Sequence, residues 1–185
     1  MVFCTGSEAP AHAADMTHLL KKNLLSLILL VLLATALWLV LRPTAVAAPA
    51  SAFLLLNGSV RHTHDFQGKV TLVNFWATSC TSCVAEMPAL AATHEKFKSR
   101  GYDTVAVAMS YDRPEYVQHF AQSRQLPFDV AFDRDGSIAR DWADVRATPT
   151  SFLLDPEGRI VRRYVGPPDM ARLHASIEKL LPSPD

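Results

Sequence analysis

The sequence predicts an α/β domain in which a mixed sheet carries helices on both faces, preceded by one long apolar segment. Three observations point there. Strand-like and helix-like stretches alternate through most of the chain, then give way to a strand–strand–helix ending. The run Val70–Trp76 is β-branched and aromatic, as a buried central strand is. Residues 23–41, by contrast, form an uncharged stretch of mostly Leu, Ile, Val and Ala.

Residues 1–15 have the character of neither a domain nor a signal. Met16 begins Met-Thr-His-Leu-Leu-Lys-Lys, a conventional start for a membrane-directed segment, and translation from there would remove Cys4, which is read as inert. As a helix, residues 23–41 would span about 28 Å, close to the hydrocarbon thickness of a bilayer. They are read as a transmembrane anchor. A cleaved signal is the alternative, with Ala45-Val46-Ala47 as its cleavage site, but a signal core usually has only about 7–15 apolar residues. Lys21 and Lys22 precede the span and Arg42 follows it. That bias places residues 1–22 in the cytoplasm and the rest of the chain outside. Residues 42–51 are read as a linker, 52–181 as the globular domain and 182–185 as a tail.

Within the domain, residues 53–56 and 59–64 flank Asn57-Gly58, a two-residue hairpin signal. Val70–Trp76 is the first central strand. Apolar positions at near-helical spacing then run from Val84 to Phe97. Residues 103–109 are a second strand and 113–124 a second helix, with a short apolar piece at 128–132. Asp133-Arg134-Asp135-Gly136 is turn chemistry, and Ser137 is placed to cap a short helix reaching Trp142. Residues 150–154 and 159–165 flank Asp155-Pro156-Glu157-Gly158, which predicts an antiparallel hairpin. A closing helix is expected over 168–181.

The chemistry-bearing motif is Cys80-Thr81-Ser82-Cys83, between the central strand and the helix that follows. Two thiols at i and i+3 on a first helical turn face the same way and can close a small disulfide ring. The helix N-terminus supplies positive partial charge and unpaired N–H groups that stabilise a thiolate. Zinc would need two further ligands at suitable spacing. The third cysteine is Cys4, and His94, His119 and His174 sit apart in helical stretches, as packing or surface residues. A purely structural disulfide across so short a loop would stabilise little. The pattern favours two-electron thiol chemistry. Basic and acidic residues balance at 18 each, with no basic stripe, so nothing argues for a nucleic-acid partner.

The stretch Asn74-Phe75-Trp76-Ala77-Thr78-Ser79-Cys80-Thr81-Ser82-Cys83-Val84-Ala85-Glu86-Met87-Pro88, with the distal Thr148-Pro149-Thr150 and the Asp155-Pro156-Glu157-Gly158-Arg159 turn, resembles the TlpA/ResA group of the thioredoxin superfamily. The resemblance covers residues 52–181. It implies a thioredoxin fold with an N-terminal β-hairpin and an inserted βα unit, behind one transmembrane helix. It also implies an extracytoplasmic, membrane-tethered thiol–disulfide oxidoreductase without a cofactor. On this reading Cys80 is the nucleophile, Cys83 the resolving thiol, and the two form the redox-active disulfide. Pro149 is implied to be cis, with the Thr148 backbone beside the sulfurs to pair with a client strand, and Thr148, Pro149 and Trp76 are read as the substrate-binding residues, Trp76 also shielding the thiols. Thioredoxins carry an aspartate where this chain has Asn74, which cannot titrate. Glu86 is therefore the available proton relay to Cys83, with a pKa raised by burial. Pro88 is expected to kink its helix.

Two departures matter. Ser79 stands where many members have a second Trp, and Thr81-Ser82 lacks the common proline, so a reduction potential cannot be carried over. The implied activity is reduction of disulfides in client proteins, of the cytochrome c maturation or copper oxidase assembly type, with electrons from a membrane thiol donor. Alternatives are a net oxidant of client thiols and a copper-binding metallochaperone-like module. Against the copper module, the cysteines are two residues apart rather than three, and no histidine stands near Thr148. Peroxiredoxin chemistry is excluded because Val73 and Ala77 occupy the places of its Pro and Thr/Ser.

Overall fold

The computed structural model describes residues 24, 27–37 and 46–182. The chain divides into two units, residues 1–44 and 45–185. In the first, residues 27–37 are helical and expose Leu27, Leu30 and Leu33. Among the described residues no helix is long and apolar enough to cross a membrane. The remainder of the expected span, Cys4, Met16 and residues 183–185 lie outside the described residues.

In the second unit the elements follow in the order β1 (Val46–Ala47), β2 (Ala52–Leu54), β3 (Val60–His62), β4 (Val70–Trp76), α1 (Thr81–Phe97), β5 (Tyr102–Ala108), α2 (Pro114–Ser123), β6 (Asp129–Phe132), α3 (Ser137–Asp141), β7 (Thr150–Leu154), β8 (Arg159–Val165) and α4 (Met170–Leu180). Six strands form one sheet in the order β1-β8-β7-β4-β5-β6, and β2-β3 stand apart as a hairpin. β4 pairs parallel with β5 and antiparallel with β7, so the sheet is mixed as predicted. The arrangement is the thioredoxin fold.

All seven residues of β4 are buried, and its alternating side chains feed two cores. Val70, Leu72 and Trp76 pack with Cys83, Met87, Leu90 and Phe97 of α1 and with Leu173 and Ile177 of α4. Val73 and Phe75 pack on the other face with Phe53, Phe66, Ile138, Trp142 and Phe152. Each large apolar side chain so buried contributes about 1.5–3 kcal/mol, which is why α1 docks firmly beneath the sheet. Arg61 of β3 ties the hairpin to the sheet through Asp103 at 2.8 Å and Asp129 at 2.7 Å.

Three local expectations change. Val46–Ala47, within the expected linker, form an edge strand on β8, with Val46 opposite Ile160 and Ala47 opposite Arg159. Backbone pairing at a sheet edge needs no particular side chain, so the Ala-rich composition disguises it. The Asn57-Gly58 signal does mark a hairpin, but not a two-residue one. Leu55 N–H donates to Ser59 O at 2.8 Å and Gly58 N–H to Leu55 O at 2.9 Å, with Gly58 at φ +85°, a longer loop closed by a left-handed glycine. Ser137 does not cap α3. It is the first helical residue, and the buried Asp133 carboxylate receives Ile138 N–H at 3.2 Å and Ala139 N–H at 2.9 Å.

That capping role is testable. Asp133→Ala leaves two buried N–H groups without an acceptor and should lower the unfolding free energy by about 1–3 kcal/mol. Urea unfolding followed by tryptophan fluorescence should show the midpoint falling, with Asp133→Asn falling less. Equal midpoints in all three proteins would assign α3's start to some other acceptor.

Candidate active site

Because β4 alternates, Leu72, Asn74 and Trp76 all face α1. The chain leaves β4 at Trp76, passes the buried Ala77, and turns through Cys80, whose N–H donates to Ala77 O at 3.1 Å. Cys80 is the N-cap residue of α1, at φ −90° and ψ 105°. Its Sγ accepts the Cys83 N–H at 3.2 Å, and the Ser82 hydroxyl lies 3.4 Å away. Cys80 and Cys83 are joined as a disulfide with Cα atoms 5.2 Å apart. The two sulfurs differ in access. Cys83 is fully buried in the α1 core, whereas Cys80 is only partly buried at its edge.

The Thr148–Pro149 peptide is cis, and the Thr148 carbonyl oxygen lies 3.5 Å from Cys80 Sγ. Pro149 O receives the Gly166 N–H at 2.8 Å, which anchors this loop to the end of β8. Trp76 is fully buried, with its ring centroid 5.1 Å from that of Phe120. It is packed in the same core as Cys83 and offers no surface to a client, so the expected substrate contact at Trp76 is not met.

Glu86 is 7% exposed, one turn beyond Cys83 on α1. Its Oε1 accepts from Asn74 Nδ2 at 2.9 Å, and the same amide group donates to Ser151 Oγ at 2.9 Å. Glu86 Oε2 and Asn74 Oδ1 are buried without a hydrogen-bond partner. Burial pushes the Glu86 carboxyl up to about 7, and the single hydrogen bond from Asn74 only partly opposes this. A carboxyl so tuned can hold or release a proton near neutral pH.

Pro88 lies inside α1 without ending it, and its ring faces solvent. His94 is buried beside Tyr102 and Phe128, and His174 pairs with Thr93 at 2.9 Å, so both serve packing. Among the described residues no group of three His, Cys, Asp or Glu side chains could hold a metal ion.

Sequence reasoning missed three neighbours of the disulfide. Ser151 faces Asn74 across the β4–β7 pair, a partnership that depends on strand order and carries no local signal. Tyr111 and Asp112, in the loop after β5, reach Thr148 and Thr78 respectively. The one available signal is Asp112-Arg113-Pro114, an acid just ahead of a proline at a helix start.

Residues 43–181 match the Redoxin family. The chain is 32% identical over 136 residues to the thiol-disulfide oxidoreductase ResA of Bacillus thuringiensis subsp. konkukian, covering 73% of this chain and 77% of that one. To ResA of Bacillus subtilis it is 33% identical over 126 residues, covering 68% and 69%. Among solved structures, a Chlorobium tepidum protein named as the thiol:disulfide interchange protein DsbE is similar at 31% identity with a TM-score of 0.67, over 75% of this chain and 97% of that one. A Neisseria meningitidis protein named as a thioredoxin is similar at 36% identity and a TM-score of 0.69, over 74% and 90%.

The buried carboxyl makes a prediction about stability. Its folded pKa lies above its ordinary value, so between about 4.5 and 7 the native state binds more protons than the unfolded state. Stability contributed by the protonated Glu86 is full below that window and is lost as pH rises through it. Glu86→Gln never ionises. In urea titrations of the oxidised protein, its stability relative to wild type should therefore rise steadily from pH 4.5 to above 7. A difference that does not vary with pH would place Glu86 in contact with solvent.

Proposed function

Because this chain belongs to the Redoxin family, as a ResA- and TlpA-like thiol–disulfide oxidoreductase, we propose that it reduces disulfides of client proteins outside the cytoplasm. The observation that carries the reading is the asymmetry of the pair: one sulfur at the surface on a helix N-terminus, the other sealed beneath it. In the reduced protein, Cys80 attacks one sulfur of the client disulfide and releases the other as a thiolate, leaving a mixed disulfide. The Cys83 N–H and the α1 N-terminus stabilise negative charge on the Cys80 sulfur before attack. Cys83 then loses its proton and attacks Cys80 Sγ, closing the disulfide and releasing the second client thiol. Two electrons and two protons pass to the client.

Glu86 is the proton acceptor we assign to Cys83, since it is the buried carboxyl one turn along the same helix and its pKa of about 7 matches the working range. Asn74 fixes the orientation of that carboxyl and carries no titration of its own. In this reading the Thr148 carbonyl pairs with an extended client strand and Pro149 lies beside that strand, supported by the 3.5 Å approach of Thr148 O to Cys80 Sγ.

Residues 23–41 serve in this reading as the anchor, supported by their uncharged length and by Lys21 and Lys22 ahead of them. A membrane thiol donor would restore the Cys80/Cys83 dithiol after each turnover. The clients implied by the resemblance are proteins whose cysteines must be free for haem or copper attachment.

Two experiments test this. In the reduced protein, a brief iodoacetamide pulse should modify Cys80 much faster than Cys83, and Cys83→Ser should accumulate mixed disulfides with clients. Equal labelling, or equal trapping by Cys80→Ser, would overturn the assignment of roles. In intact cells, a membrane-impermeant maleimide should reach Cys80 of the full chain, and carbonate washing should leave the chain in the membrane pellet. Labelling only after the cells are permeabilised would overturn the extracytoplasmic placement.

A further inference from the structure

The walls on either side of Cys80 come from loops far apart in sequence, residues 77–80 and 147–149. One short loop reaches both. Its base is fixed to the central sheet, since Met109 N–H donates to Trp76 O at 3.0 Å and Asp112 N–H to Met109 O at 3.0 Å. From there the Tyr111 hydroxyl meets Thr148 Oγ1 at 3.3 Å. The Asp112 carboxylate receives the Thr78 N–H on one oxygen and the Thr78 hydroxyl on the other, the latter at 2.6 Å. Oδ1 also accepts the Arg113 N–H at 2.9 Å, at the N-cap of α2.

We propose that Tyr111 and Asp112 form a clasp that positions the attacking sulfur by joining these two walls. They are positioning residues, and neither touches a sulfur through a hydrogen bond. The turn that delivers Cys80 has few other restraints. Ala77 O holds the Cys80 N–H, and Ser79 is exposed. Among the described residues, the Asp112 carboxylate is the one hydrogen-bond partner of the Thr78 N–H and hydroxyl. Without it the Cys80 backbone could drift from the cap geometry that aims the Cys83 N–H at Sγ. Tyr111 acts on the other wall, holding Thr148 so that its carbonyl stays beside the sulfur. Its ring is 60% exposed, so its place in the fold is not dictated by burial in the core.

Charge alone predicts the opposite of positioning. Asp112 brings a carboxylate to the turn that delivers Cys80, so deleting the charge should favour the thiolate and speed its reactions. Losing two hydrogen bonds that fix the turn should slow them, by about tenfold. Asparagine removes the charge and keeps both bonds to Thr78, its Oδ1 accepting from Thr78 N–H and its Nδ2 donating to Thr78 Oγ1, but it gives up the bond from Arg113 N–H.

The test measures the rate of Cys80 alkylation at pH 7 in the reduced full chain, resolved by mass spectrometry. It rests on Cys80 being the attacking thiol, which the wild-type labelling pattern checks separately. Asp112→Ala should react about tenfold more slowly than wild type, and Asp112→Asn should recover part of that loss. Thr78→Val, which deletes only the hydroxyl bond, should fall between them and carries the test if the alanine variant does not fold. Tyr111→Phe should raise KM for insulin about threefold with a smaller change in kcat. Alanine and asparagine variants that react alike, or a Thr78→Val rate equal to wild type, would overturn the clasp.

Discussion

β4 is paired along both edges and buried on both faces, and the site inherits its geometry from that constraint. A strand so enclosed cannot shift register without moving every side chain to the wrong core. Its last residue, Trp76, is therefore a fixed point, and the four-residue step from there to Cys80 determines where α1 begins. α1 is fixed in turn by Met87, Leu90 and Phe97 beneath the sheet. The sulfur at its N-cap is held from both ends, by the strand behind it and the helix after it.

The same enclosure explains the polar pair inside the core. Asn74 is wholly buried in the middle of β4, on the face that meets α1. One amide NH2 group there serves both Glu86 and Ser151. An aspartate at this place would set a second carboxylate against Glu86, and like charges so close and so buried would force one of them to stay protonated. With asparagine, a single group titrates and the pair becomes a single acid with an orienting partner. Leaving Glu86 Oε2 without a donor is costly for the ionised carboxylate, and it is that cost which lifts the group toward neutral pH.

Much of this was legible in the sequence because it depends on residue type at short range. The strand Val70–Trp76, the cysteine pair at a helix start, the burial of Glu86 and the hairpin around Gly158 all follow from local spacing. What was not legible depends on distant strands or on backbone alone. β1 is a Val-Ala dipeptide recruited by the open edge of β8, a pairing made by main-chain groups. Asp133, and not Ser137, caps α3 because the end of β6 happens to deliver a carboxylate under that helix. Ser151 and Asp112 reach the site across 77 and 34 residues of chain, distances no periodicity can bridge.

The disulfide thus sits where two kinds of control meet. Below it, α1 and β4 provide a rigid floor with one proton-holding group, buried and shared with no solvent-facing partner. Above it, the surface is made from loop ends, each tied by one or two hydrogen bonds to the residues after β5. The floor encloses the buried sulfur and the Glu86 carboxyl, whose environment must stay dry for that carboxyl to remain near neutral. The rim surrounds the partly exposed sulfur, which packing does not seal. The fold keeps Ser79, Thr81 and Ser82 at the exposed rim, so a substitution there leaves the buried carboxyl beneath untouched.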